Sequence, residues 1–123
     1  MERKLAAAQH NMERSILNIT YKDRNTNKWI REQTQVQDIL EAIKSRKWTW
    51  AGHISRRKDN RWSSTLTHWT PYGRKRNRGR QRKRWRDELQ NYWGEVNWYQ
   101  QAQNRGTWRH HAEAFILQWI DNG

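Results

Sequence analysis

The sequence predicts an all-α protein: several short tryptophan-rich helices joined through a basic, flexible linker. Three observations predict it. Apolar residues recur at three- and four-residue steps along nearly the whole chain, which is the spacing of a helical face. Strand signals are scarce. Ten of the 123 residues are Trp, against one Phe and no Cys, so the helices must pack largely through indole rings, each burying about 150–250 Å². Hydrophobic residues make up only 33% of the chain, below the roughly 45–50% apolar usage of ordinary domains, a figure that also counts Gly. The aliphatic core is correspondingly thin.

The elements follow in order. Leu5, Ala8, Met12, Ile16 and Ile19 share one face of a first helix. Asn18, which tolerates a left-handed backbone, is placed to end it. Tyr21–Asn27 reads as a loop, and Trp29 and Ile30 open a short helical turn. Thr34 followed by Gln37 has the capping-box spacing. Val36, Ile39, Leu40 and Ile43 then form an amphipathic stripe, giving a helix over 35–47. Trp48, Ala51 and Ile54 continue it, or the alternation Trp48-Thr49-Trp50 forms a short extended piece, with Gly52 weakening both.

Asp59 is placed to cap a helix carrying Trp62, Leu66 and Trp69, which Pro71 and Gly73 stop. Trp85, Leu89, Tyr92 and Trp93 line the next, ended by Gly94. Asn97 caps a short helix with Trp98 and Ala102. Thr107 caps the last, with Trp108, Ala112, Phe115, Ile116 and Trp119 on its stripe, over 107–120. The expected organisation is a helical part over 1–69, a basic linker over 70–81 and a helical part over 82–123.

Charge is segregated. The chain has 25 Lys and Arg against 12 Asp and Glu, a net +13. From Arg46 to Arg86 there are 15 basic residues and one acid, Asp59, while the rest of the chain is nearly neutral. Nine of the 13 residues from Arg74 to Arg86 are basic. A merely solvating surface mixes both signs; this one asks for a polyanion, and nucleic acid comes first. The same run suits nuclear import.

The expected phosphate contacts are Arg74, Lys75, Arg76, Arg78, Arg80, Arg82, Lys83, Arg84 and Arg86. Arg56, Arg57, Lys58 and Arg61 extend that surface. Trp29, Trp93, Trp108 and Trp119 sit on or beside apolar stripes and read as core. Trp48, Trp50, Trp62, Trp69 and Trp85 lie inside the basic third, where a ring can stack on an exposed base for about 1–3 kcal/mol. Trp62, Trp69 and Trp85 also fit helical stripes, so core packing competes with stacking there.

Other classes lack their residues. Without Cys there is no disulfide or thiolate metal site. The five His lack the spacing of a zinc site, since His110 and His111 are adjacent and point to different faces. There is no Walker-type loop and no serine elbow. Asp87-Glu88 opens a helix, where dipole and ion-pair roles account for it. No catalytic residue, metal or cofactor is expected. No apolar run approaches the ~18 residues of a membrane span, and MERKLAAAQHNMERS lacks the 7–15-residue apolar stretch of a secretory signal.

Three segments in order carry a resemblance: MERSILNITYKDRNTNKWIREQTQVQDI from Met12, KWTWAGHISRRKDNRW from Lys47 and RNRGRQRKRWRDEL from Arg76. Together with NWYQQAQNRGTWRHHAEAFILQWI from Asn97, they resemble the C-terminal region of RTE-type or jockey-like non-LTR retrotransposon endonuclease–reverse transcriptase polyproteins. Asn18 stands where those proteins usually have Gly, and Gln81 where a Pro usually follows Gly-Arg. The resemblance implies that residues 1–20 correspond to the end of the thumb-side region. It also implies that the whole chain is a C-terminal remnant starting at an internal Met. The family's endonuclease domain and paired palm aspartates have no counterpart here.

The resulting expectation is a non-catalytic module that binds RNA or single-stranded DNA in preference to duplex, with a nuclear location and no membrane partner. A structural module packing on the parent polymerase, and a genomic fossil without retained function, are the alternatives.

Overall fold

Seven α-helices and one 3-10 turn make up the described residues of the computed structural model, which are 1–59, 61–69, 78–79 and 83–120, with side chains through Gln118. No strand occurs among them, and the all-α expectation holds. The linker expected over 70–81 falls almost wholly outside the described residues, as do Arg74, Lys75, Arg76, Arg80 and Arg82 and the side chain of Trp119.

Two compact units form, and their boundaries fall inside helices. One comprises Met1–Arg46 with the residues from Ala114 onward; the other comprises Lys47–Glu113.

In the first unit, α1 spans Glu2–Ile16. Asn18 adopts φ 52°, and the Ile19 N–H donates to the Arg14 carbonyl at 3.0 Å. This is a Schellman-type ending built on Asn in place of Gly, as the sequence suggested. A 3-10 turn at Tyr21–Asp23 interrupts the expected loop. Helix α2 covers Asn27–Thr34, with the Thr26 hydroxyl accepting the Trp29 N–H at 3.1 Å.

The helix expected over 35–47 is shifted. Gln35 takes φ 55° and ends α2, so Thr34 is a last residue and not a cap. Helix α3 runs Ile39–Arg56, and Asp38 caps it by accepting the N–H groups of Leu40 and Glu41 at 2.9 and 3.2 Å. Trp48, Ala51 and Ile54 continue it as helix, with Gly52 inside.

The α1 stripe is not what packs. Met12 and Ile16 are exposed, while Gln9 and Glu13, one turn apart, are buried. Gln9 donates to the Gln37 carbonyl at 2.6 Å and accepts the Ile39 N–H at 2.8 Å. Glu13 accepts Arg31 Nε and Nη2 at 2.7 and 3.1 Å, and Arg31 Nη1 reaches Asp38 at 2.9 Å. A polar network therefore replaces an apolar seam between α1, α2 and the start of α3. Trp29, expected in the core, is 42% exposed; Ile30 beside it is the buried residue of α2.

In the second unit, the turns of α3 from Lys47 onward are joined by α4 (Trp62–His68), α5 (Asp87–Trp93), α6 (Trp98–Gln101) and the start of α7 (Arg105–Ile120). Asp59 does not cap α4; it pairs with Arg61 at 2.6 Å. Gly94, at φ 69°, ends α5 as expected. Asn104, one turn before the expected Thr107, caps α7 by accepting the Thr107 N–H at 3.1 Å.

The core of this unit is aromatic. Trp48, Trp93 and Trp108 lie nearly parallel, with Trp48 and Trp108 closest at 3.9 Å between centroids and 12° between planes. Tyr92 stands edge-on to Trp48 and Trp93 and hydrogen-bonds His111 Nδ1 at 2.8 Å. Trp98, Ala102, Leu89, Ala51 and Ile54 are buried with them.

Candidate nucleic-acid interface

Trp48 is a correction to the base-stacking set. Its residue is only 2% exposed and Trp108 stacks on its ring, so no base reaches it. Its place on the same helical face as Ala51, one turn from Gly52, puts it in the core. Trp50, Trp62, Trp69 and Trp85 differ: they are exposed by 42% to 78%. Two residues along α3 from Trp48, Trp50 points away from the buried face, and the Arg57 guanidinium lies over its ring at 5.9 Å. Trp62, Leu66 and Trp69 are all exposed, so the stripe foreseen for α4 is present but uncovered. Lys47 lies over the Trp85 ring at 5.0 Å while its Nζ pairs with Glu88 at 2.9 Å.

The described cations are held in different ways. Arg57, Lys58, Arg61, Arg78 and Lys83 are exposed, and Arg61 shares its charge with Asp59. Arg84 and Arg86 are half-buried. The Arg84 N–H donates to Asp87 Oδ2 at 2.7 Å, which orders the entry to α5. Arg86 Nη1 donates to the His68 carbonyl at 2.8 Å, tying that entry to the end of α4. Partial burial, together with the charge of Arg86, lowers the His68 pKa and favours its neutral ring, which stacks on Trp98.

Arg56 has a partner that composition could not show. Its Nη1 donates to the Ala102 carbonyl at 2.9 Å, at the end of α6. Arg105 and Arg109, one turn apart on α7, act on it electrostatically: burial first, then these two charges, lower its pKa. Neither was singled out from sequence, because both lie outside the basic third. The Arg-x-x-x-Arg spacing on one helix was the available signal. Among the described residues, no group of three or more His, Cys, Asp or Glu has metal-site geometry, and no helix is long and apolar enough to cross a membrane.

The described residues are thus all-helical, with an indole core and with cations and several indole rings exposed. Compared with known proteins, it is 50% identical over 60 residues to a transposon-derived protein of Caenorhabditis elegans. The match covers 49% of this chain but only 22% of that protein, so the chain spans about a fifth of its relative's length. The likeness supports a transposon-related origin. No family model matches the chain, and no solved structure matches it.

Proposed function

We propose that this chain is a non-catalytic nucleic-acid-binding module, derived from the C-terminal region of an RTE-type or jockey-like non-LTR reverse transcriptase. One observation carries the reading: 15 cations and a single acid between Arg46 and Arg86. Phosphate neutralisation needs that imbalance. The exposed rings of Trp50, Trp62, Trp69 and Trp85 support single strands over duplex, because only unstacked bases offer a face to a ring. The transposon-derived relative is consistent with a retroelement remnant. The basic run also suits nuclear import. Filter binding of RNA, single-stranded DNA and duplex of equal length tests the reading. The expected order has both single strands ahead of duplex; binding to none of the three overturns it.

A second reading, a packing module of the parent polymerase, is favoured by one specific feature. Leu5, Ala8, Met12, Ile39 and Ala42 line an open apolar groove on the first unit. Under this reading the isolated chain self-associates through it, and light scattering shows oligomers that added RNA does not dissolve.

A further inference from the structure

We propose that Arg56, Arg105 and Arg109 form a phosphate-binding site for the backbone of a bound single strand, built from two helices and separate from the basic run. The proposal rests on the nucleic-acid reading and adds a site to it.

The packing brings Arg56 to the start of α7, the helix that carries Arg105 and Arg109. Trp108 on α7 lies against Gly52 on α3 so closely that a Cβ there would be 2.7 Å from its indole nitrogen. The same Cβ would be 3.1 Å from Arg56 Nη1. Arg56 therefore converges with Trp108 on one point of α3. Its Nη1 bonds Ala102, three residues before Arg105, and Gln103 Nε2 donates to the Ser55 carbonyl at 2.7 Å. These bonds seat the start of α7 over the last turn of α3. Arg105 and Arg109 flank Trp108 on that helix and are both exposed.

Among the described residues, none of the three arginines makes an ion pair, and Glu113, one turn beyond Arg109, does not pair with it. The Arg56 fork spends one N–H on Ala102, and its other nitrogens are neither bonded nor sealed from solvent. Burial, and after it the charges of Arg105 and Arg109, hold the Arg56 pKa below its ordinary value. A phosphodiester offsets those charges: a planar guanidinium held by one backbone bond presents the remaining donors in the fork that matches phosphate oxygens. Arginines converging from two helices suit a backbone phosphate better than a carboxylate peptide, given the basic run in the same chain.

The test uses the full chain and a single-stranded oligonucleotide in filter binding at several salt concentrations. Arg105→Gln with Arg109→Gln is compared with Lys22→Gln with Lys28→Gln, which removes the same charge from exposed positions elsewhere. A third variant, Lys83→Gln with Arg84→Gln, lies in the basic run. The arginine pair is expected to weaken binding roughly tenfold and to make the log K against log salt slope shallower by about 0.7–1.4, one or two single-strand phosphates. The lysine pair is expected to change neither. Equal losses in both pairs, or none in the arginine pair while the basic-run variant weakens, overturn the site and leave the wider reading standing. No binding by the unaltered chain overturns both. Thermal melting by circular dichroism confirms that each variant folds; both substituted arginines are exposed, so melting should match the parent.

Discussion

Trp48 and Trp108 hold each other reciprocally. Each indole N–H donates to the other residue's backbone carbonyl, at 2.8 Å from Trp48 and 2.9 Å from Trp108, with the rings stacked between. Each buried donor is therefore satisfied by the partner that also covers its ring. Replacing one ring removes its own indole hydrogen bond and uncovers one face of the other ring, whose backbone acceptor remains. Trp108→Phe is expected to cost about 2–4 kcal/mol, combining a lost buried hydrogen bond with a partial cavity. Urea unfolding measures this. A double-mutant cycle with Trp48→Phe should give a coupling of at least about 1 kcal/mol. The closely packed rings also predict an exciton couplet in far-ultraviolet circular dichroism that either substitution abolishes.

Gly52→Ala distinguishes close packing from helix propensity. In an open helix this change stabilises by roughly 1 kcal/mol. Here the new Cβ would meet Trp108 Nε1 at 2.7 Å and Cδ1 at 2.8 Å, and overpacking of this kind costs about 1–3 kcal/mol. Net destabilisation is expected. Gly106→Ala serves as the contrast, since its Cβ would meet Asn104 Oδ1 at 3.4 Å, and a small stabilisation is expected. Thermal melting of both variants checks the pair; equal shifts of the same sign would contradict the close approach.

The Glu13–Arg31–Asp38 network gives a pH dependence. Burial works against the ionised carboxyls of Glu13 and Asp38, but hydrogen bonds from Arg31, from Thr34 to Glu13 and from backbone N–H groups to Asp38 outweigh it. Both folded pKa values lie below the unfolded ones, near 4. The stabilisation is therefore fully present above about pH 5 and is lost as pH falls through the folded values. Urea midpoints across that range should fall steeply in the parent and less in Glu13→Gln. At neutral pH Glu13→Gln should cost roughly 2–4 kcal/mol, at or below the range for a fully buried pair because Arg31 stays partly exposed.

The exposed rings are separable from the core rings. Trp62→Ala and Trp69→Ala should leave unfolding midpoints within about 0.5 kcal/mol of the parent, as exposed substitutions do. Each should weaken single-strand binding by about 1–3 kcal/mol if it stacks on a base. Titration with an oligonucleotide while following tryptophan fluorescence checks this, with quenching expected from the exposed rings.

Local signals in the sequence carried most of the fold. Asn18 and Gly94 end their helices in the backbone conformations that their side chains favour, and the stripe through Trp48, Ala51 and Ile54 proved to be continuous helix. Boundaries failed where two signals competed. Thr34 has a capping side chain, yet Gln35 turns left-handed and Asp38 caps α3. The α1 seam was illegible because buried Glu13 and Gln9 have no signature until their partners 18 and 28 residues away are in place. Counting tryptophans could not separate Trp48 from Trp50, which differ only in which face of one helix they occupy. The candidate site was legible as charge, but the proposed part of Arg105 and Arg109 was not, since it depends on Arg56 reaching the Ala102 carbonyl just before α7.

The central claim is tested most directly by the salt dependence of single-strand binding. If six to nine phosphates are neutralised, log K should fall with log salt with a slope of about −4 to −8, according to strandedness. An affinity that does not change with salt, or no binding at about 50 mM salt, would contradict it.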